Sequence, residues 1–186
     1  SPQLTRQGVK ARVYLNPDVV YFQFNMKDPV IGGLPPEKVA LRRAIGLALD
    51  PQREIQLVRR GQAVAANGPL QPHTYGFELQ GQSDMGSYSL PKAKALLDLY
   101  GYKDRDGDGW RETPDGQPLV LEIATQPDSL SRQFDELWLK GMRDLGLKVS
   151  FLSGQWAEQL KMAREFDLPV IPLHVQAQLL RTEQIQ

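Results

Sequence analysis

The stretch that most restricts what this chain can fold into is residues 118–156, PLVLEIATQPDSLSRQFDELWLKGMRDLGLKVSFLSGQW. Leu119, Leu121 and Ile123 alternate with Val120, Glu122 and Ala124, the period of a strand with one strongly apolar face. Asp128 or Ser129 then offers an N-cap, and Leu130, Phe134, Leu137, Met142 and Leu145 gather on one side of a helix that Gly146 stops. Leu147, Val149 and Phe151 resume an extended segment at once. A strand, a helix and a strand joined this tightly cross over right-handedly with the strands parallel, so the spacing predicts an α/β or mixed domain.

The remaining composition removes several classes of function. A chain of 186 residues with 41% apolar and 24% charged residues is long enough for one compact core. Lys+Arg and Asp+Glu both total 22, and a chain without basic excess is a poor partner for nucleic acid. No apolar run approaches the ~18 residues of a membrane span. The absence of Cys excludes disulfides, thiolate zinc sites and Cys nucleophiles, and suits an exported bacterial protein. No signal peptide is visible at Ser1, which fits a chain that begins after one or after a deleted segment.

Along the chain, Val9, Ala11, Val13 and Leu15 alternate as in a strand. Residues 19–25, VVYFQFN, are apolar on both faces and predict a strand near the middle of the sheet. Pro35-Pro36 opens a helix carrying Leu41, Ile45, Ala48 and Leu49, and Asp50-Pro51 starts another through Ile55 and Val58 to Gly61. The pairs Arg42-Arg43 and Arg59-Arg60 read as solvated helix faces. Residues 63–90 form a long loop, of the kind that borders binding sites or moves. A short helix runs from Pro91 to Tyr100.

Next comes KDRDGDGWRETPDGQ. Asp104, Asp106, Asp108 and Gly109 fall on the first, third, fifth and sixth positions of a calcium loop, where carboxylate oxygens converge and Gly permits the sharp turn. The twelfth position is Asp115 in place of the bidentate Glu, with Pro114 beside it, so the same string also reads as a polar turn. His73 and His174 lack local ligand partners. No phosphate-cradling glycine loop, nucleophile elbow or singled-out carboxylate pair points to catalysis.

In order and spacing, YFQFN (21–25), VALRRAIGLALDPQREI (39–55), GQAVAANGPL (61–70), LPKAKALLDLYGY (90–102), DGDG (106–109), LWLKGMRDLGLKVSF (137–151) and QWAEQL (155–160) resemble the large-lobe half of ABC-transporter substrate-binding proteins of the oligopeptide/dipeptide/nickel family. Leu41-Arg42 replaces that family's Val-Arg, and Leu90-Pro91 its Asp-Pro. Family members continue after the Phe-Asp of residues 166–167 into a ligand-anchoring segment, whereas here LPVIPLH (168–174) follows and looks like the downstream strand by which the family's chain returns to its other lobe. The resemblance implies one lobe of a type II periplasmic-binding-protein fold, a mixed sheet flanked by helices. Residues 1–167 would be a partial ligand-binding lobe and residues 168–186 a return strand and tail.

What the resemblance implies about function follows. The parent protein would be periplasmic or extracellular, capture a peptide or other small solute between two lobes, close by hinge motion and deliver it to an ABC permease, without enzymatic activity. Calcium is the one cofactor in view, and this chain would be incomplete for binding. Trp156 matches the family's cleft Trp that packs on ligand side chains, and read as a lone Trp it is equally a core residue. Ser129 and Ser131 lie where α/β sheets place ligands, or are helix caps. The alternatives are a structural or interaction module derived from such a lobe, and a small hydrolase. The apolar tail, with Val170, Ile171, Leu173, Val175, Leu179 and Leu180, predicts an unpaired strand and hence a homodimer.

Overall fold

The computed structural model describes residues 18–66, 87–165 and 170–176, together with short stretches among residues 6–15 and 68–77. Four strands, β1 (Asp18–Phe24), β2 (Val120–Thr125), β3 (Lys148–Ser153) and β4 (Val170–Gln176), form one sheet in the order β1-β4-β2-β3. The described helices are α1 (Pro36–Ala48), α2 (Pro51–Leu57), α3 (Leu90–Leu99), α4 (Ser129–Leu145) and α5 (Trp156–Glu165).

The β2-α4-β3 unit is the one expected, with β2 and β3 parallel in register from Val120 opposite Lys148 to Thr125 opposite Ser153. Its boundaries have local causes. The Asp128 carboxylate accepts from the backbone N–H groups of Leu130 and Ser131, both at 2.9 Å, satisfying two of the donors a helix start leaves open. Gly146 takes φ +83°, a conformation that costs a side-chain-bearing residue dearly, and the Leu147 N–H then closes on the Met142 carbonyl at 2.8 Å.

The core lies between the sheet and helices α1, α3 and α4. Leu121 and Ile123 point inward from β2 to meet Leu41 and Ile45 of α1, Leu97 of α3, and Met142 and Leu145 of α4. Phe22 of β1 sets its ring edge-on to Trp138 of α4 at 5.0 Å between centroids, a favoured aromatic geometry. The loop between β1 and α1 is fastened from both sides. Asp28 accepts from the Val30 and Ile31 N–H groups, and Lys38 and Arg42 donate to the carbonyls of Pro29, Val30 and Ile31.

Several expectations need correction or placing. The 19–25 strand is at one edge of the described sheet, because β4 inserts between β1 and β2. Its apolar character on both faces does not mean burial on both, since Val20 and Tyr21 are 42% and 41% exposed. The tail is likewise no unpaired strand: β4 pairs antiparallel along all of β1 and meets β2 where Val170 lies beside Ile123. Arg42 and Arg59 are not merely solvated, for Arg42 caps the Ile31 carbonyl and the Arg59 guanidinium lies 4.8 Å from the centre of the Phe134 ring. The strand expected over residues 9–15, much of the 63–90 loop, and the tail beyond Gln176 lie mostly or wholly outside the described residues.

Candidate functional site

The carboxyl ends of the parallel strands are where this architecture gathers chemistry. β2 and β3 end level, at Thr125 and Ser153, and α4 and α5 begin just beyond them. β4 runs parallel to them but starts only at the level of Ile123, so its second half passes the end of β2. It carries the first half of β1 along, since Asp18 to Tyr21 face Gln176 to Leu173. A two-stranded ribbon therefore projects from the same end of the sheet that presents Asp128, Ser129, Ser131 and Trp156. Open α/β sheets place ligands at this end.

The side chains there are held to different degrees. The Ser131 hydroxyl donates to Asp128 Oδ2 at 2.7 Å, and this bond, reinforced by the backbone donors, holds the Asp128 carboxyl below its usual range. Ser131 is thus part of the cap. Ser129 is the first helical residue, and its carbonyl accepts from Gln133 Nε2 at 3.1 Å. Trp156 opens α5 and is 38% exposed, so it is not a core residue of this chain.

Three residues that carried no signal in the sequence reading underlie this edge. Thr125 donates its hydroxyl to Asp135 Oδ2 at 2.7 Å. Burial pushes the Asp135 carboxyl up, while the Thr125 bond pulls down and the Asp128 charge adds to the rise. Gln159 is buried, with its Nε2 donating to the Thr125 carbonyl and, at 3.2 Å, to the Leu152 carbonyl. The available clue was Thr125 itself, a polar residue on the inward face shared by Leu121 and Ile123.

The Asp loop lies elsewhere, between α3 and β2. Asp104, Asp106, Asp108 and Glu112 each offer an oxygen within 4.8 Å of the others. Asp115 is not among them and instead accepts from the Thr113 hydroxyl at 2.6 Å, which holds its carboxyl below the usual range. Glu112 joins because the chain doubles back through a bridge to Lys103, bringing the ninth loop position round. Asp104 accepts from the N–H groups of Gly107 and Gly109 at 2.7 and 2.9 Å. Arg111 anchors the loop to the body, donating to Asp98 at 2.5 Å, to the Tyr102 carbonyl at 2.6 Å and to the Leu145 carbonyl at 2.9 Å. His73 lies outside the described residues, and His174 sits in β4 opposite Val20.

Comparison with known proteins gives this arrangement its context. Heme-binding protein A of Haemophilus influenzae is 28% identical over 154 residues, which make up 81% of this chain and 25% of that protein. The oligopeptide-binding protein AppA of Bacillus subtilis, solved in complex with a nonapeptide, superposes with a TM-score of 0.77 at 20% identity, over 88% of this chain and 32% of that one. NikA of Brucella suis, solved in complex with Fe(III)-EDTA, gives 0.76 at 18% identity, over 97% of this chain and 35% of that one. The chain therefore spans no more than roughly a third of any of these three, and the two structures share its α/β fold. All three are binding proteins by name or complex. Residues 2–183 match the middle part of one family of such proteins, and the chain belongs to it: the bacterial extracellular solute-binding proteins, family 5.

Proposed function

We propose that this chain is the partial ligand-binding lobe of an ABC-transporter substrate-binding protein that captures a peptide, or a similar extended solute, outside the cytoplasmic membrane and passes it to a permease. One observation carries the reading: the β1–β4 ribbon leaves the body at the sheet end that also presents Trp156 and the start of α4. A second lobe reached through that ribbon would close over the aromatic ring and over Leu130, which is also exposed there. Trp156 and Ser129, which open α5 and α4 at this end of the sheet, are the proposed ligand contacts, while the Ser131 hydroxyl contributes by fixing the cap. Residues 170–176 serve as the return strand. No described helix is long and apolar enough to cross a membrane.

Because a solute enclosed between lobes needs both, the isolated chain is expected to bind weakly or not at all. The test is native mass spectrometry of the full-length receptor after exposure to a mixed peptide pool. Bound peptides are expected, and Trp156→Ala should weaken binding of a captured peptide by about tenfold, the scale of a lost aromatic contact. Capture of no peptide would end the peptide reading, and equal affinity in the variant would end the role of Trp156.

The 104–112 loop is proposed as a calcium site, with Asp104, Asp106 and Asp108 as ligands and Glu112 as the fourth carboxylate, a donor set of hard oxygens suited to that ion. At a concentration about a hundredfold above its Kd, calcium should raise the melting temperature by roughly 5 °C, and chelator should reverse it. A melting temperature indifferent to both would leave the loop a turn held by its own backbone. For a homodimer the remaining surface is the outer edge of β1, which has no strand beside it among the described residues and where Tyr21 is exposed. Light scattering that reads 20.9 kDa, the mass of a single chain, would exclude that pairing.

A further inference from the structure

We infer that Gln159 is the positioning residue for Trp156: its buried amide locks the first turn of α5 to the ends of β2 and β3 and so fixes the aromatic face offered to a ligand. The inference rests on the ligand-binding reading of this edge. Gln159 is 3% exposed, and its single planar NH2 group spans two strands, donating to Thr125 of β2 and Leu152 of β3. The Thr125 carbonyl also accepts from the Gly154 N–H at 3.0 Å, so one atom at the end of β2 holds both the turn into α5 and the helix itself. The Gln159 N–H donates to the Gln155 carbonyl at 3.0 Å, closing the turn in which Trp156 is the first residue. Residues three apart on a helix share a side, so a hold at position 159 acts on the same turn and side that carry Trp156.

The chemistry at position 159 is restrictive. Two carbonyls converge there away from solvent; the Thr125 oxygen already accepts from the Gly154 N–H, and the Gln159 amide adds a second donor to it and one to Leu152. Leucine or methionine would bring none, and glutamate would set acceptor against acceptor. Lysine would supply donors at the cost of a buried charge. Glutamine gives two N–H groups on a neutral head. Gly154 lies against that head: an added Cβ would make ordinary contact, 3.4 Å from Gln159 Cγ and 3.6 Å from its Nε2, and only a side chain branching beyond it would press on the amide. Holding the Trp156 backbone in advance lowers the ordering cost that ligand binding would otherwise carry.

The experiment labels the protein with 5-fluorotryptophan, which reports its three Trp residues separately by fluorine NMR, with Trp156→Phe assigning the resonance in question. Gln159→Met, of similar length but without donors, is expected to shift and sharpen the Trp156 resonance while those of Trp110 and Trp138 stay in place. In the full-length receptor the same variant is expected to lose about tenfold in affinity for a captured peptide, the scale of about one lost hydrogen bond. A Trp156 resonance unchanged in folded Gln159→Met overturns the inference, and so does equal displacement of all three, which would mean a general role in stability. Should that variant not fold, Gly154→Val displaces the amide without removing it, and a silent Trp156 resonance there is equally fatal. A selective fluorine response without peptide binding would keep the positioning role and reject the peptide reading instead.

Discussion

Leu41→Ala is expected to lower the unfolding free energy by about 3 kcal/mol, within the usual span for a buried leucine. Leu41 has no exposed surface and sits on the face of α1 turned toward the core shared with Leu97 and Met142. The core joins three helices and the sheet, and its neighbours cannot all relax into the space the lost methyl groups leave, so a cavity cost adds to the transfer cost. Urea unfolding should show a lower midpoint with an unchanged slope, the sign of lost stability without a change in the folded surface. The control is Leu99→Ala on α3, 78% exposed, expected to stay within about 0.5 kcal/mol of the parent. If the two variants behaved alike, the packing of α1 against α3 and α4 described here would be wrong.

Gly32→Ala should cost a similar amount, about 3 kcal/mol, for the opposite reason. A Cβ on Gly32 would lie 2.6 Å from the Met26 carbonyl carbon and oxygen and from the Asp28 carbonyl oxygen. These are backbone atoms, and two of them are already engaged, Asp28 O accepting from Gly32 N and Met26 O from Gly33 N, both at 2.9 Å. Relief requires the loop to open, yet Ile31 beside it is buried in the core and Arg42 holds the Ile31 carbonyl at 2.6 Å. Gly68→Ala, with nothing within 4 Å of the added carbon, is the matched control and should be within about 0.5 kcal/mol of the parent. A Gly32→Ala variant as stable as Gly68→Ala would show that the loop is not closed in this way.

The parts of the fold that could be read from the chain are those whose causes lie within a few residues. Asp128 caps, Gly146 stops, and the alternation of Leu121 and Ile123 sets a face, so the β2-α4-β3 unit was visible without knowing anything distant. The place of β1 was not, because edge or centre is decided by β4, which arrives from the far end of the chain. Likewise Arg42 and Arg111 find their carbonyls only once the fold has formed, and neither a pair of arginines on a helix nor a single one in a polar loop gives a hint of it. At the candidate site, Trp156 and the helix start were legible through family resemblance and strand topology. Gln159 was not, since an isolated glutamine in a helix carries no period or motif. Glu112 was missed because the loop was measured against a twelfth position, whereas the bridge between Lys103 and Glu112 brings the ninth one in.

The insertion of β4 between β1 and β2 also sets an order of events as the chain leaves the ribosome. The β2-α4-β3 unit can form early from local contacts, but β1, made first, has no described partner until Val170–Gln176 emerge. Closing so long a loop is entropically slow, and until it closes both β1 and the inner edge of β2 expose unpaired backbone groups. A ribosome stalled before Val170, or a chain cut there, would carry two such open edges, the form most prone to pairing with another molecule and so to need a chaperone's cover.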